Sequence, residues 1–298
     1  MIQSKSLTKK FDDFTALDSL NCHIQKGSIY GLVGSNGSGK STFLRLVSGV
    51  YRPDSGEITV DGKSVYENPA IKQKIFFVSD EPYFLNQATM DEMAAFYKGL
   101  YPTFSDEIYR KLSQIFPIER KKKINTFSKG MKRQVMIILA FACNTEYILL
   151  DEAFDGLDPM MRQLLDKLLI EKSADSQLTV IISSHILREL EDICDHIGLL
   201  HQGRIIFEED IDDLKLGITK VQVIFGQNGE TPDLSGLQII KKEQKGSLYS
   251  FVIKGKQPQI EEYLKNTHPV FMEALPLTLE EVFLTQMEEL GYEFNNIL

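Results

Sequence analysis

Long apolar runs are missing from this sequence. The longest uninterrupted one, residues 135–143, is about half of what a membrane-spanning helix needs, and the first ten residues hold no apolar core with a cleavage site. Neither a bilayer span nor a secretion signal is therefore expected. Cysteine is equally scarce. Cys22, Cys143 and Cys194 are too few and too far apart for a zinc site, and their apolar neighbours mark them as buried thiols of a reduced compartment. Positive charge is in deficit: 33 Lys and Arg stand against 42 Asp and Glu, a net charge of −9, which argues against nucleic acid as the main partner. The one basic cluster, Arg120-Lys121-Lys122-Lys123 behind Glu119, reads as a solvated loop face. What remains is ordinary globular composition, 43% hydrophobic and 25% charged over 298 residues, enough for one large domain and a smaller one.

One stretch organises the rest: Gly34-Ser35-Asn36-Gly37-Ser38-Gly39-Lys40-Ser41-Thr42, set between the apolar Ile29-Tyr30-Gly31-Leu32-Val33 and the periodic Phe43-Leu44-Arg45-Leu46-Val47. It fits G-x-x-x-x-G-K-[ST] and predicts strand, glycine loop, helix. The glycines let the backbone amides turn inward and cradle phosphate oxygens at a helix N-terminus, where the helix dipole favours an anion. Lys40 is expected to reach the β and γ phosphates and Ser41 to place its hydroxyl on Mg²⁺. The bland alternative, a Gly/Ser turn that fits the pattern by accident, does not account for the strand before it and the helix after it.

Upstream, residues 6–11, 14–17 and 20–24 read as short paired strands broken at Asp12-Asp13 and ending before Lys26-Gly27. Phe11 closes a basic strand, where an aromatic ring can stack on a base but is more often a core or edge residue. Downstream, Glu57-Ile58-Thr59-Val60 with Asp61-Gly62 is a hairpin signal, and residues 74–78 form a strand that ends at Ser79-Asp80-Glu81. Met90, Met93, Ala94, Tyr97 and Leu100 repeat at helical spacing behind a Thr89-x-x-Glu92 capping box. A second helix is expected over 105–116, and Phe127-Ser128-Lys129-Gly130-Met131 opens a third over 132–143. The apolar strand at 147–150 carries Asp151 and Glu152 at its end. A loop from Ala153 to Pro159 and a helix over 160–170 follow, then a buried strand at 178–184 that ends on His185. Ile186, Leu187, Leu190, Ile193, Cys194 and Ile197 predict an amphipathic helix, and residues 198–207 a hairpin. Past about 215 the texture changes to short strands at 221–225, 237–241 and 247–253 with helices at 259–266 and 279–290.

Continuous apolar strands alternating with helices indicate an α/β fold with a mainly parallel core sheet, and in such sheets ligands sit at the carboxyl ends of the strands. The phosphate loop, Asp80, Asp151, Glu152 and His185 all fall at such ends. Asp151 suits Mg²⁺, directly or through water. Glu152, one residue on, faces the other way and suits orienting or deprotonating an attacking water. Taken alone, an Asp-Glu pair at a strand end is more often helix-start capping and a lone histidine after a strand is usually structural; the phosphate loop upstream shifts both readings toward catalysis.

Five of these features, in this order and spacing, resemble the nucleotide-binding subunit of ATP-binding-cassette transporters over about residues 1–212. Residues 34–41 match the Walker A loop, and Phe127-Ser128-Lys129-Gly130-Met131 stands where the family signature L-S-G-G-Q stands. Tyr147 through Glu152 match Walker B with its following glutamate, Asp155-Gly156-Leu157-Asp158 resembles the D-loop, and His185 resembles the switch histidine. Phe11 falls at the aromatic A-loop position. The resemblance implies a P-loop NTPase fold over 1–214, with an antiparallel β subdomain and an α-helical subdomain at about 85–145, and a small α+β accessory domain over 215–298. It implies ATP and Mg²⁺ as ligands, with the metal near Ser41, Asp151 and Asp80. Glu152, His185 and Asp80 become the catalytic candidates. Nucleotide contacts are implied for Phe11, for residues 34–42, and for Ser128, Gly130 and Asp158, with Ser128 and the Gly130 amide closing on the γ-phosphate from a second subunit. It also implies pairing with itself or a paralogue, an integral membrane permease as partner, and a place on the cytoplasmic face of the membrane. The permease is expected to dock beside Pro82-Tyr83-Phe84-Leu85. The wording S-K-G-M and Leu279-Glu280-Glu281-Val282-Phe283-Leu284 near the end resemble bacterial exporters of peptides, antibiotics or lipids, among them staphylococcal exporters of amphipathic peptide toxins.

Three motifs depart from the family pattern. Asp80 stands for the usual Q-loop Gln, Lys129 and Met131 replace the first Gly and the Gln of the signature, and Phe11 replaces the commoner Tyr. None removes the groups that orient the attacking water, so a competent ATPase is expected. A soluble mechanical ATPase acting on nucleic acid or the ribosome is the alternative. It is disfavoured by the acidic charge, by the short span between Walker A and the signature, and by the single cassette. A P-loop kinase or GTPase is disfavoured by the absence of an Asn-Lys-x-Asp stretch.

Overall fold

The computed structural model describes residues 1–226 and 232–283, which divide into two compact units, one over 1–208 and one from residue 209 on. The first unit opens with β1 (Ile2–Phe11) and β2 (Phe14–Ile24), paired antiparallel around a turn where Asp12 is left-handed at φ 50°. Where the sequence suggests two short strands, β2 runs unbroken. Ser19, at φ 51°, and register shifts along β1 absorb the Asp18-Ser19 interruption as bulges. The wholly buried β3 (Ile29–Val33) leads to α1 (Lys40–Val47), which turns Phe43, Leu44, Leu46 and Val47 into the core. β4 (Ser55–Val60) pairs with β1, and β5 (Lys63–Ser64) completes an antiparallel sheet in the order β2-β1-β4-β5. After the short α2 (Pro69–Lys72) comes β6 (Ile75–Val78).

A helical layer follows. In α3 (Met90–Leu100) the Thr89 hydroxyl accepts from Glu92 N and the Glu92 carboxylate accepts from Thr89 N, the reciprocal cap that the Thr-x-x-Glu spacing predicts. Ser105 caps α4 (Asp106–Ile115), and Ser128 caps α5 (Lys129–Cys143), which starts three residues before the expected point. Every α5 residue over 135–143 is buried, so the longest apolar run of the chain is a core helix.

The unit continues with β7 (Tyr147–Asp151), α6 (Pro159–Ser176), β8 (Thr179–Ser184), β9 (His196–His201) and β10 (Arg204–Asp210). The amphipathic helix expected over 186–197 does not form: a single 3-10 turn, Leu187–Glu189, gives way to tight turns. Leu187, Leu190, Ile193, Cys194 and Ile197 are buried all the same, a spacing that an α-helix would also satisfy. The segment lies close on β3, because a Cβ on Gly31 would come 3.1 Å from Cys194 Sγ and from Leu190 Cδ1.

The central sheet has the order β10-β9-β3-β8-β7-β6, with β9, β3, β8, β7 and β6 parallel. Ser184 pairs with Val33 and Ser183 with Asp151, so β3, β8 and β7 end level with one another. Beneath those ends lies a core that includes Leu32, Phe43, Leu46, Leu149 and Ile181, each essentially inaccessible. Burial contributes about 1.5–3 kcal/mol for each such side chain, and it holds the strand ends as a rigid platform.

The second unit comprises α7 (Ile211–Leu216), β11 (Ile218–Ile224), β12 (Gln238–Lys245), β13 (Leu248–Lys254), α8 (Gln257–Lys265) and β14 (Phe271–Leu275). Its antiparallel sheet runs β12-β13-β11-β14, and Val221, Val223, Phe251 and Ile253 pack on Ile260 and Leu264 of α8. The sequence reading has no counterpart for α7 or β14. Residues 279–283 are helical, and the remainder of the helix expected over 279–290 lies outside the described residues.

Candidate active site

Between β3 and α1 the chain turns on glycines that cannot be replaced. Gly39 sits at φ 114° and a Cβ there would lie 2.7 Å from Ala16 O; one on Gly34 would lie 2.3 Å from Leu200 O. Asn36 and Gly37 form the exposed tip, while Ser35 and Ser38 line the turn's inner side, Ser38 with a buried hydroxyl that has no partner among the described residues. Lys40 is only 5% exposed and folds back into the loop, its Nζ donating to Gly34 O at 2.6 Å and Ser35 O at 3.2 Å.

The next strands across the sheet bring the acids. Asp151 is wholly buried at the end of β7, and its Oδ1 accepts from Ser41 Oγ at 3.0 Å and Ser183 Oγ at 2.7 Å. Its Oδ2 is buried with no hydrogen-bond partner among the described residues. Glu152 takes φ 47°, a left-handed conformation that costs a non-glycine residue about 1–3 kcal/mol, and is held there by its N–H on Ser183 O at 3.2 Å and Ser183 Oγ at 3.1 Å. That twist sets the Glu152 carboxylate between two groups: Oε1 is 3.3 Å from Lys40 Nζ and Oε2 is 3.0 Å from His185 Nδ1. The phosphate loop, His185, the acidic pair and Asp80 thus follow four neighbouring strands, β3, β8, β7 and β6.

A cleft of about 300 Å³ gathers Asn36, Gly37, Gly39, Lys40, Ser41 and Thr42 with Asp80 and Glu152, and Phe14 and Ala16 form its other wall. Asp80 also faces α5. Its Oδ1 meets Arg133 NH2 at 3.0 Å and Lys129 Nζ at 3.5 Å. Arg133 is fully buried, and its NH1 donates to Ser79 O at 2.9 Å and Asp151 O at 3.3 Å, joining the ends of β6 and β7. Sequence reasoning passed over Arg133, Ser183 and Phe14. For Arg133 a signal existed: it shares a helical face with Ile137 and Ala140, where a charge is out of place. For Ser183 and Phe14 there was none beyond their position beside a motif.

Gly34, Ser35, Ser38, Asp151 and His185 adjoin this lining without forming it, whereas Phe11, Ser128, Gly130 and Asp158 have other partners. The Phe11 ring packs edge-on against Tyr51 with centroids 5.3 Å apart, and Lys9 Nζ lies over its face. Ser128 caps α5 by accepting from Met131 N, and Gly130 packs so closely on the loop after β7 that a Cβ would come 2.3 Å from Gly156 O. Asp158 caps α6, its Oδ1 accepting from Met160 N and Met161 N.

The residues present fit a triphosphate with Mg²⁺. A buried carboxylate oxygen without a partner is costly unless a cation or donor completes it, and Asp151 Oδ2 beside Ser41 supplies the hard oxygen donors that Mg²⁺ prefers. Among the described residues no group of three or more His, Cys, Asp or Glu converges on one metal position. The protein therefore offers part of a shell, as expected where phosphate oxygens and water complete it.

Fold and cleft together define a phosphate-loop nucleoside triphosphatase. Residues 17–155 match the sequence family described as ABC transporter. The chain is 31% identical over 286 residues to the ABC transporter ATP-binding protein YtrB of Bacillus subtilis, covering 96% of this chain and 98% of that one. It is 32% identical to the bacitracin transport ATP-binding protein BcrA of Bacillus licheniformis, covering 72% of this chain and 71% of that one. A solved structure described as the ATP-binding subunit of an ABC transporter superposes with a TM-score of 0.67 at 26% identity, covering 72% of this chain and 92% of the other. The chain belongs to the ABC transporter ATP-binding proteins: it is an ATPase that works with ATP and Mg²⁺. No helix among the described residues is long and apolar enough to cross a membrane.

Proposed function

We propose that this chain hydrolyses ATP at the cleft above β3, β8, β7 and β6 and, paired with a second copy, drives a membrane permease that exports an antibiotic or amphipathic peptide. In this reading Lys40 and the loop amides hold the β and γ phosphates, and Ser41 and Asp151 hold Mg²⁺, which when bound neutralises charge building on the phosphate oxygens. Glu152 orients and deprotonates the attacking water, and His185 fixes the Glu152 carboxylate through Nδ1. The observation that carries the reading is the Lys40–Glu152–His185 chain, 3.3 Å and then 3.0 Å long, standing over the buried Asp151.

Pairing is supported by the family's signature position: Ser128 and Gly130 do not line this chain's own cleft, and in this reading a second copy presents them to the γ-phosphate. Residues 1–214 are assigned as the nucleotide-binding domain and 215–298 as an accessory domain. Export of a membrane-active antibiotic is supported by the likeness to the bacitracin transport protein. A permease partner places the chain on the inner face of the membrane. The net charge of −9 leaves nucleic acid out of this reading.

Glu152→Gln tests it. The amide cannot take a proton from water, so hydrolysis should fall about a hundredfold or more, while binding of a fluorescent ATP analogue persists. Hydrolysis at near the unmodified rate would sink the assignment of Glu152.

A further inference from the structure

Two of the positions at which this chain departs from its family's motifs, Asp80 and Lys129, are far apart in sequence and meet in space. Lys129 Nζ lies 3.5 Å from Asp80 Oδ1 and 3.9 Å from Asp155 Oδ2, while Arg133, one turn further along α5, holds the same Asp80 oxygen at 3.0 Å. A glutamine at 80 could not balance two cations, and a glycine at 129 could not reach. The two residues are thus matched in charge and reach. Asp80 belongs at once to the ATP cleft, which it lines with Ser41 and Glu152, and to the first turn of α5. The junction is tight, because the Gly130 backbone leaves no room for a Cβ against Gly156 O.

We propose that Asp80 is a switchable anchor for Lys129, and that Lys129, once released, becomes an added cation for the phosphates of the partner's nucleotide. The inference rests on the paired reading of the site given above. Asp80 shares one oxygen between Arg133 and Lys129. Mg²⁺ and triphosphate held in the same cleft would give that carboxylate a competing cation and its waters. Arg133 stays fixed by the carbonyls of Ser79 and Asp151, so the contact that yields is the one to Lys129, whose side chain is 59% exposed and weakly paired. Lys129 opens the same turn of α5 as Ser128 and Gly130, the segment that faces the second copy, and its ammonium then makes charge-assisted contacts to phosphate there. Occupancy of one cleft thereby favours closure over the other.

The test is nucleotide-driven dimerisation, followed by sedimentation in the Glu152→Gln background across a range of Mg²⁺-ATP concentrations. Four proteins are compared: the parent, Asp80→Gln, Lys129→Gly and the double variant. Lys129→Gly should raise the midpoint about five- to tenfold. Asp80→Gln frees Lys129 from the start but also removes a carboxylate that meets the metal, so the readout is the coupling between the two positions: Lys129→Gly should raise the midpoint about two- to fivefold more in the Asp80→Gln chain than in the parent. An equal Lys129→Gly effect in both chains overturns the proposal. Thermal melts of each protein exclude misfolding as the source of a shift. If the Glu152→Gln parent itself forms no ATP-dependent dimer, the paired reading fails first and the proposal falls with it.

Discussion

At the scale of single residues, Ser183 has as large a claim on the site as the acids it serves. Its hydroxyl donates to Asp151 Oδ1 at 2.7 Å and accepts from the Glu152 amide at 3.1 Å, so one small side chain orients the metal carboxylate and helps stabilise the strained φ of its neighbour. Removing it leaves a buried carboxylate one donor short, a loss of about 1–3 kcal/mol for a bond to a charged group. Ser183→Ala should therefore raise the Mg²⁺ concentration for half-maximal ATPase by about five- to 150-fold; an unchanged Mg²⁺ dependence would count against Asp151 as a metal ligand. The grouping of Lys40, Ser41, Asp151 and Glu152 was legible in the sequence because the glycine spacing has few other uses, and it shifts the reading of an acidic pair at a strand end away from capping. Ser183 and Phe14 were not, because a serine in a buried strand and an aromatic beside a turn fit many environments. Asp80 was legible as a strand-end carboxylate, but its bonds to Arg133 and Lys129 depend on how α5 packs, which no local pattern encodes.

Among the elements, α6 carries a destabilising group in its middle. Asp166 has a buried oxygen without a hydrogen-bond partner, and burial, reinforced by Asp192 and only partly offset by Arg162, pushes its carboxyl up to about 6. A carboxyl raised above its unfolded value of 3.8 favours folding when protonated. That contribution is complete below the unfolded value and is lost as pH rises through about 6, so at neutral pH the folded chain holds an ionised carboxylate at a cost. Asp166→Asn should raise the melting temperature at pH 7.5 by a few degrees, about 1–2 kcal/mol after allowing for solvent screening, and the gain should shrink to nothing near pH 4. A gain independent of pH would mean that packing rather than charge is responsible. Element types were largely readable from the sequence wherever burial followed a clean period, as in α3, α5 and β7. The segment after β8 misled because Leu187, Leu190 and Ile193 satisfy a three-residue period that an α-helical reading also accepts.

For the whole molecule, the surface near the cleft carries exposed apolar side chains that suit the permease contact proposed above. Tyr83 is 77% exposed and Leu85 40% exposed in the loop that starts at Asp80, and Phe96 and Leu100 on α3 are similarly open. Tyr83 and Leu85 are too exposed to serve mainly as packing between the core sheet and α3, the bland role open to an apolar stretch at this point of the chain. Replacing Tyr83 and Phe84 with Ser should weaken co-purification with the permease at least tenfold while the ATPase of the isolated chain persists, as expected where aromatic anchors dominate an interface. Loss of folding in the isolated variant would return the stretch to a packing role. Sharing between two copies is the larger claim, and complementation tests it directly. Lys40→Ala disables the phosphate loop and Ser128→Arg blocks the signature, so each protein alone should be inactive. Mixed in equal amounts, they should recover roughly a quarter of the unmodified ATPase rate, because about half of randomly paired dimers are mixed and each has one intact site of two. No recovery on mixing would contradict a site built from two copies of the chain.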